Sequence, residues 1–239
     1  MQQVVNFLWN QYSKTYDGLL YFWPYVNLIS MLKKRLSVKE GDVVLELGCG
    51  TGNILYSLLE NKPSKLVGVD ISKGMLSVAA NKLANERSIP TQLVQSDLVS
   101  YLNNATTQSV DKIVTCNVLY AIEDQKVLWQ EIIRVLKDDG LVVVTTSVRV
   151  GSFPIIKEHI KHSSFINLLR PKLLGVFLID SLINGLGHSG HFAFHDENAL
   201  RKAIEDAGGH ASDFERCYGG PEEGVNIIFQ VNKKFISLD

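Results

Sequence analysis

The chain has 239 residues, with 24 Lys and Arg against 25 Asp and Glu, for a formal net charge of −1. That balance supplies no field to attract a nucleic-acid backbone, and a hydrophobic fraction of 46% is ample for a large core. The three cysteines, Cys49, Cys116 and Cys217, are too few and too scattered for a disulfide framework or a metal cluster. A reducing, cytoplasmic compartment is the expectation they carry. The first ten residues lack the basic start, apolar run and cleavage site of a leader, and no apolar stretch has the length of a spanning helix.

Residues 1–40 are rich in aromatics. Val5, Leu8, Trp9 and Tyr12 fall at helical spacing, and Tyr16, Tyr21, Phe22, Trp23 and Tyr25 follow. Pro24 is expected to interrupt, with a second helix over Asn27–Leu36. Most of these rings read as core of a helical cap. Tyr12 and Tyr16 stand apart, because such a cap would lie over the site that comes next.

Val43, Val44, Leu45 and Leu47 form a short apolar run suited to a strand covered on both faces. Gly48, Gly50 and Gly52 follow at alternate positions, and a helical pattern resumes at Ile54. Glycine lets a ligand lie against the backbone, and the helix start offers unpaired N–H groups. Leu66–Asp70 is predicted as the next strand, with Ser72 capping a helix through Met75, Leu76, Ala79 and Leu83. Thr91–Gln95, Val110–Cys116 and Leu141–Thr146 read as further strands. Asp124 is a candidate cap for the helix through Leu128, Ile132, Val135 and Leu136, which Asp138-Asp139-Gly140 should end. Asp196–Ala207 reads as a helix, and Ala211–Tyr218 and Val225–Lys233 as a final strand pair. Alternation of buried-type strands with helices implies a parallel sheet with a ligand at the strands' carboxyl ends.

A dinucleotide fingerprint would need a small residue where Asn53 stands, which argues against hydride transfer. Glu46-Leu-Gly-Cys-Gly-Thr-Gly52 instead resembles the first motif of class I S-adenosylmethionine-dependent methyltransferases. Val67-Gly-Val-Asp70 and Gln95-Ser-Asp97 resemble the second and third. Asp111–Ile122 is similar to the family's strand-four segment, and Ile132–Gly140 to the helix and turn before strand five, although that turn commonly reads Pro-Gly-Gly. The resemblance covers residues 40–150 closely and the terminal strands loosely.

It implies a Rossmann-like, doubly wound α/β sheet of seven strands, the last antiparallel. It also implies one domain over 1–239: an aromatic cap (1–40), a cofactor-binding core (41–150), a lid (151–194) and a C-terminal helix with a strand pair (195–239). S-adenosylmethionine would be the cofactor, S-adenosylhomocysteine its product, and no metal is expected. By the same resemblance Asp70 would accept from both ribose hydroxyls and Asp97 from the adenine amine, with Ile71, Met75 and Leu98 around the ring. Glu46 would orient the glycine loop or meet the cofactor's ammonium. Gly48, Cys49, Gly50 and Gly52 would present backbone, Asn117 would reach the methionine part, and Tyr16 would cover the sulfonium.

The expected acceptor is a small, partly apolar molecule methylated on O or N. The loop after the fourth strand lacks the Asn-Pro-Pro-Tyr type of sequence that marks base or amide methylation in this family. Nucleic acid is therefore not the expected partner. Residues 153–187 mix Phe153, Phe165, Leu169 and the run Leu173–Ile179 with Lys157, Lys161, Arg170 and Lys172. They read as a lid over the acceptor, or as an amphipathic surface for a bilayer, which would suit a phospholipid or isoprenoid-quinone methyltransferase. A non-catalytic cofactor- or partner-binding protein is a third reading. His159, His162, His188, His191 and His195 lack the companions of a metal site and read as solvated loop residues. His191 or His188, at the hinge between lid and core, is a candidate base facing the acceptor, and Tyr120 is a similar candidate for acceptor contact. Oligomeric state is not legible.

Overall fold

The computed structural model describes residues 2–84, 88–122, 125–149, 151–186 and 194–234. Its strands are β1 (Val43–Leu47), β2 (Lys65–Asp70), β3 (Thr91–Gln95), β4 (Val110–Cys116), β5 (Leu136–Ser147), β6 (Gly209–Cys217) and β7 (Asn226–Lys233). They form one sheet in the order β3-β2-β1-β4-β5-β7-β6. Strands β1 to β5 run parallel, and β7 is antiparallel to both β5 and β6. This is the Rossmann-like seven-stranded arrangement that the sequence implies. Chain order reverses direction between β1 and β4, and in such sheets the crevice for a ligand lies at this switch point, outside the carboxyl ends of the strands.

The central strands alternate large apolar residues between two covered faces. Val44, Val114, Val143 and Ile228 point into one cluster, and Leu45, Ile113, Val142, Val144 and Phe229 into the other. The first cluster is closed by α2 (Trp23–Leu36), α3 (Asn53–Leu58) and α4 (Lys73–Leu83). The second is closed by α5 (Leu98–Asn104), α6 (Gln125–Val135) and α9 (Glu197–Asp206), with Trp129 fully buried at its centre.

Two boundaries differ from expectation. Helix α2 begins at Trp23 rather than Asn27, with Pro24 inside its first turn. The first turn has no internal acceptor for its N–H groups, so proline starts this helix instead of breaking one. The helix expected to run through Leu136 ends at Val135, and β5 starts there. Leu136 pairs with Val110 before a bulge resumes the ladder at Lys112 and Leu141, while Lys137 reaches Asp111 at 2.8 Å. Pairing with β4 overrides the helical spacing. Asp124, the candidate cap, lies outside the described residues.

Above the first cluster sit α1 (Gln2–Tyr12) and a 3-10 turn (Tyr16–Tyr21), joined by α7 (Phe153–His162), a second 3-10 turn (Phe165–Leu169) and α8 (Pro171–Leu186). Cap and lid pack on each other. A Cβ on Gly18 would come within 2.7 Å of the Lys172 backbone, and one on Gly175 within 2.7 Å of Thr15. These glycines let α8 cross the 3-10 turn at close range. Among the described residues no helix is long and apolar enough to cross a membrane.

Candidate active site

The glycine loop turns sharply because all three of its glycines adopt positive φ: 74° at Gly48, 50° at Gly50 and 74° at Gly52. Gly48 also lies against Val118 in the loop after β4, with no room for a Cβ, so the two crevice loops touch there. Backbone N–H groups of Gly48 and Cys49 both donate to Val69 O, at 2.8 and 3.0 Å, which ties the loop to β2. The Cys49 side chain is buried against β2 and α3, and burial pushes its thiol well up, so it stays a neutral packing group.

One acid braces this loop and a second braces the helix behind it. Asp70, at the end of β2, accepts from Gly50 N on one oxygen and from Ser72 N on the other, each at 2.8 Å. Burial raises its carboxyl, opposed by the backbone N–H groups of Ser72 and Gly50. Glu46 is fully buried and accepts from Leu55 N at 3.1 Å. Burial raises it well above the usual range, with the Leu55 N–H opposing. That bond holds the start of α3, the helix behind the glycine loop.

The cap closes on the same loop. Tyr16 Cε1 stands 3.9 Å from the place a Gly50 Cβ would take. Its ring meets Tyr12 and Tyr25 edge-on, with centroids 5.0 and 6.0 Å away. Burial, then the neighbours Tyr25 and Cys116, raise the Tyr16 phenol, which keeps it protonated. Next in sequence, Asp17 accepts from the Thr51 hydroxyl at 2.6 Å and from Lys82 Nζ at 3.0 Å. Lys82 also donates to Asn53, whose amide donates to Tyr25 OH at 3.2 Å. Asn10 on α1 accepts from Gly74 N at 2.7 Å and Ser72 Oγ at 2.9 Å. Sequence reasoning noted Tyr16, with Asp17 beside it, and Asn53, but not the contacts that join Asp17 to Thr51 and Lys82, Lys82 to Asn53, and Asn10 to Ser72 and Gly74. Thr51 and Asn53 lie within or beside the glycine motif, which was the available signal.

The remaining expected residues follow the ends of β2, β3 and β4, in the loops there or on the helices that come next. Asp97 is exposed and caps α5 by accepting from Ser100 N at 3.0 Å. Ile71 is half-buried, while Met75 and Leu98 are buried in the two separate clusters on opposite faces of the sheet. Asn117 takes φ 57° after β4, and its side chain accepts from Asn226 Nδ2 at 2.6 Å. Asn226, itself buried, also accepts from Ser147 at 2.9 Å. It joins β4, β5 and β7 at the rim and carried no local signal in the sequence. Tyr120 lies in a 3-10 turn after β4, its ring 6.1 Å from Phe194.

The histidines correct one expectation. His159 is buried on α7 instead of solvated in a loop: its Nδ1 accepts from Trp23 N at 3.0 Å, and its ring stacks on Phe22. His162 stacks on Trp23 with centroids 4.0 Å apart. Both therefore fasten the lid to the start of α2. His188 and His191 lie outside the described residues. Among the described residues no group of three or more His, Cys, Asp or Glu could hold a metal ion.

Comparison with known proteins agrees with this architecture. The profile of a family described as a methyltransferase domain matches residues 38–208. The chain is 31% identical over 235 residues to uncharacterized protein MJ1252 of Methanocaldococcus jannaschii, covering 95% of this chain and 82% of that one. It is 35% identical over 127 residues to a demethylmenaquinone methyltransferase of Lactobacillus johnsonii, a match spanning 52% of this chain and about half, 51%, of that protein. In fold it is similar to a chain of the solved complex between the Haloferax volcanii Trm112 methyltransferase activator and a methyltransferase. That match has a TM-score of 0.64 at 15% identity and covers 94% of this chain and 97% of that one. With the sheet order, the glycine loop and the acid ending β2, these similarities make the chain a member of the class I S-adenosylmethionine-dependent methyltransferases.

Proposed function

We propose that this methyltransferase transfers its methyl group to an oxygen or nitrogen of a small, partly apolar acceptor held between the glycine loop, the aromatic cap and the lid. The observation that carries the reading is the packing of Tyr16 on Gly50, which sets an aromatic cap directly over the cofactor loop. The bound cofactor supplies a methyl group activated on a positively charged sulfur. The residues present fit it. Acceptor-only carboxylates end β2 and follow β3, positive-φ glycines expose backbone between them, and protonated phenols line the cap.

Asp70 would hold the ribose hydroxyls while keeping Gly50 in place, and Asp97 would take the adenine amine beside half-buried Ile71. Gly48, Cys49 and Gly52 would offer backbone, and Glu46 would hold α3 behind them. Asn117 would meet the amino-acid end through its left-handed backbone. Tyr16 would face the sulfonium, where a desolvated aromatic contact contributes up to about 2 kcal/mol. The glycine loop, cap and lid would hold the acceptor atom in line with the methyl group that the cofactor would supply. Alignment and exclusion of water supply most of the acceleration for such an in-line displacement. Tyr120 would contact the acceptor at the crevice rim; His191 is retained as a candidate at the lid's end.

A second reading, an isoprenoid quinone or phospholipid as acceptor, is favoured by one specific observation. Lid residues Phe165, Ile166, Leu169 and Leu178 expose most of their apolar surface. The experiment that separates these readings is incubation of methyl-labelled cofactor with a cell extract, followed by extraction and mass identification of the labelled product. A label in a water-soluble small molecule supports the first, and a label in the lipid fraction supports the second. A label confined to nucleic acid or protein would overturn both.

A further inference from the structure

The second 3-10 turn and α8 are two-sided. Leu168, Leu173 and Val176 are buried against the cap, in the same cluster as Tyr12, Phe22 and Tyr25. Their neighbours point the other way: Phe165 is 58% exposed, Ile166 73%, Leu169 59% and Leu178 70%. Three exposed cations, Lys161, Arg170 and Lys172, lie among them, and Arg170 sits 4.2 Å over the half-exposed ring of Tyr21. From His159 to Ile179 the chain contains no Asp or Glu.

An apolar face this exposed needs an occupant. A second copy meeting it across a two-fold axis would set these cations against their own counterparts. A protein groove would have to supply both apolar surface and acids. An anionic bilayer supplies both at once, since headgroup phosphates meet the cations while the acyl boundary takes the apolar side chains.

We infer that the face formed by Phe165–Leu169 and the outer side of α8 docks on an anionic membrane surface. The inference rests on and deepens the second proposed reading, a lipid acceptor, because it names where that acceptor would come from. The inner side of α8 packs on the cap that covers the glycine loop, so an acceptor leaving the bilayer at this face has only the lid and cap to pass. Gly175 against Thr15 and Gly18 against Lys172 bring that helix close to the 3-10 turn carrying Tyr16. Docking and access to the site therefore share one helix.

The test is flotation of the full chain with vesicles of phosphatidylcholine alone and with vesicles containing phosphatidylglycerol. Cofactor affinity is measured by calorimetry in the same preparations. The expected result is binding to the anionic vesicles, weakened by salt and far lower on the neutral ones. Arg170→Gln with Lys172→Gln should weaken it about fivefold per cation removed. Ile166→Ser with Leu178→Ser should abolish it. In both variants cofactor affinity should stay within about twofold of wild type, since these side chains point away from the loop. Absence of flotation with either vesicle, equal binding to both, or binding that survives both double substitutions overturns the inference. Self-association lost in the same variants, without flotation, assigns the face to a second copy and also overturns it. Failure of the cofactor measurement alone, with docking intact, would count against the proposed cofactor site and not against the membrane face.

Discussion

The carboxylate of Asp17 accepts a hydrogen bond from the Thr51 hydroxyl at 2.6 Å, joining the aromatic cap to the middle of the glycine loop. Lys82 from α4 meets the same Asp17 oxygen at 3.0 Å, so three separate elements converge on one carboxylate. Its side chain is 27% and that of Lys82 16% exposed, so solvent screens the pair only in part. The cap is thus fastened to the loop by a charge-assisted contact as well as by packing of Tyr16.

Asp17→Ala should loosen the cap while leaving the sheet intact. Hydrogen bonds to charged groups contribute about 1.5–3 kcal/mol each, and the screening here places the loss toward the lower end. A reduced melting temperature in thermal unfolding, with cofactor affinity reduced several-fold by calorimetry, is the expected outcome. Thr51→Val should show the affinity loss in milder form. Unchanged affinity in both variants would separate the latch from the cofactor site.

Asp70→Ala removes the acceptor of Gly50 N and Ser72 N together with the proposed ribose contact. Cofactor affinity should fall at least about tenfold, equivalent to roughly 1.4 kcal/mol. An affinity within twofold of wild type would refute the ribose role.

Gly48→Ala forces a side chain into a positive-φ position and onto Val118. Strain and overlap together should destabilise the fold by about 1–3 kcal/mol. Adding Val118→Ala should restore part of that loss by removing the overlap but not the strain. Denaturant titration of the single and double variants measures both parts.

Glu46 predicts an unusual pH slope. Burial raises its carboxyl in the folded chain, so the folded state keeps a proton that the unfolded chain releases. Stability should therefore fall as pH rises from the usual glutamate range toward the raised folded value, and Asp70, shifted in the same direction, adds to it. Glu46→Gln should flatten that decline, measured as denaturation midpoints between pH 4 and 8. An identical slope in wild type and variant would place the Glu46 shift elsewhere.

Asn226→Leu takes a donor from the half-buried Asn117 amide oxygen at the crevice rim and from the buried Thr145 hydroxyl. A loss of about 1–3 kcal/mol is expected for a buried polar group left unpaired. If Asn117 positions the cofactor's amino-acid end, cofactor affinity should fall alongside stability. Loss of stability alone would confine Asn226 to holding β7 against β5.

Much of this molecule was legible in the chain itself. The run Val43–Leu47 followed by three alternate glycines, and the acid at the end of Leu66–Asp70, are local signals. Strand covering, positive φ and acceptor-only chemistry are properties of residue type and spacing. They marked a parallel sheet with a nucleotide-type site before any contact was known, and the resemblance of the motifs to a methyltransferase family implied the ligand. Tertiary structure decided the rest, because those features depend on residues far apart in sequence. Leu136 had helical spacing, yet it became strand because β4 offered it a ladder partner. His159 looked like one of several loop histidines until α7 brought it beneath the first turn of α2. Asp17 meeting Thr51 and Lys82, and Asn226 meeting Asn117, required the cap and the last strand to fold back onto the crevice. The lid's sequence gave an apolar, cationic stretch, but only packing against the cap divided it into a buried face and an exposed one.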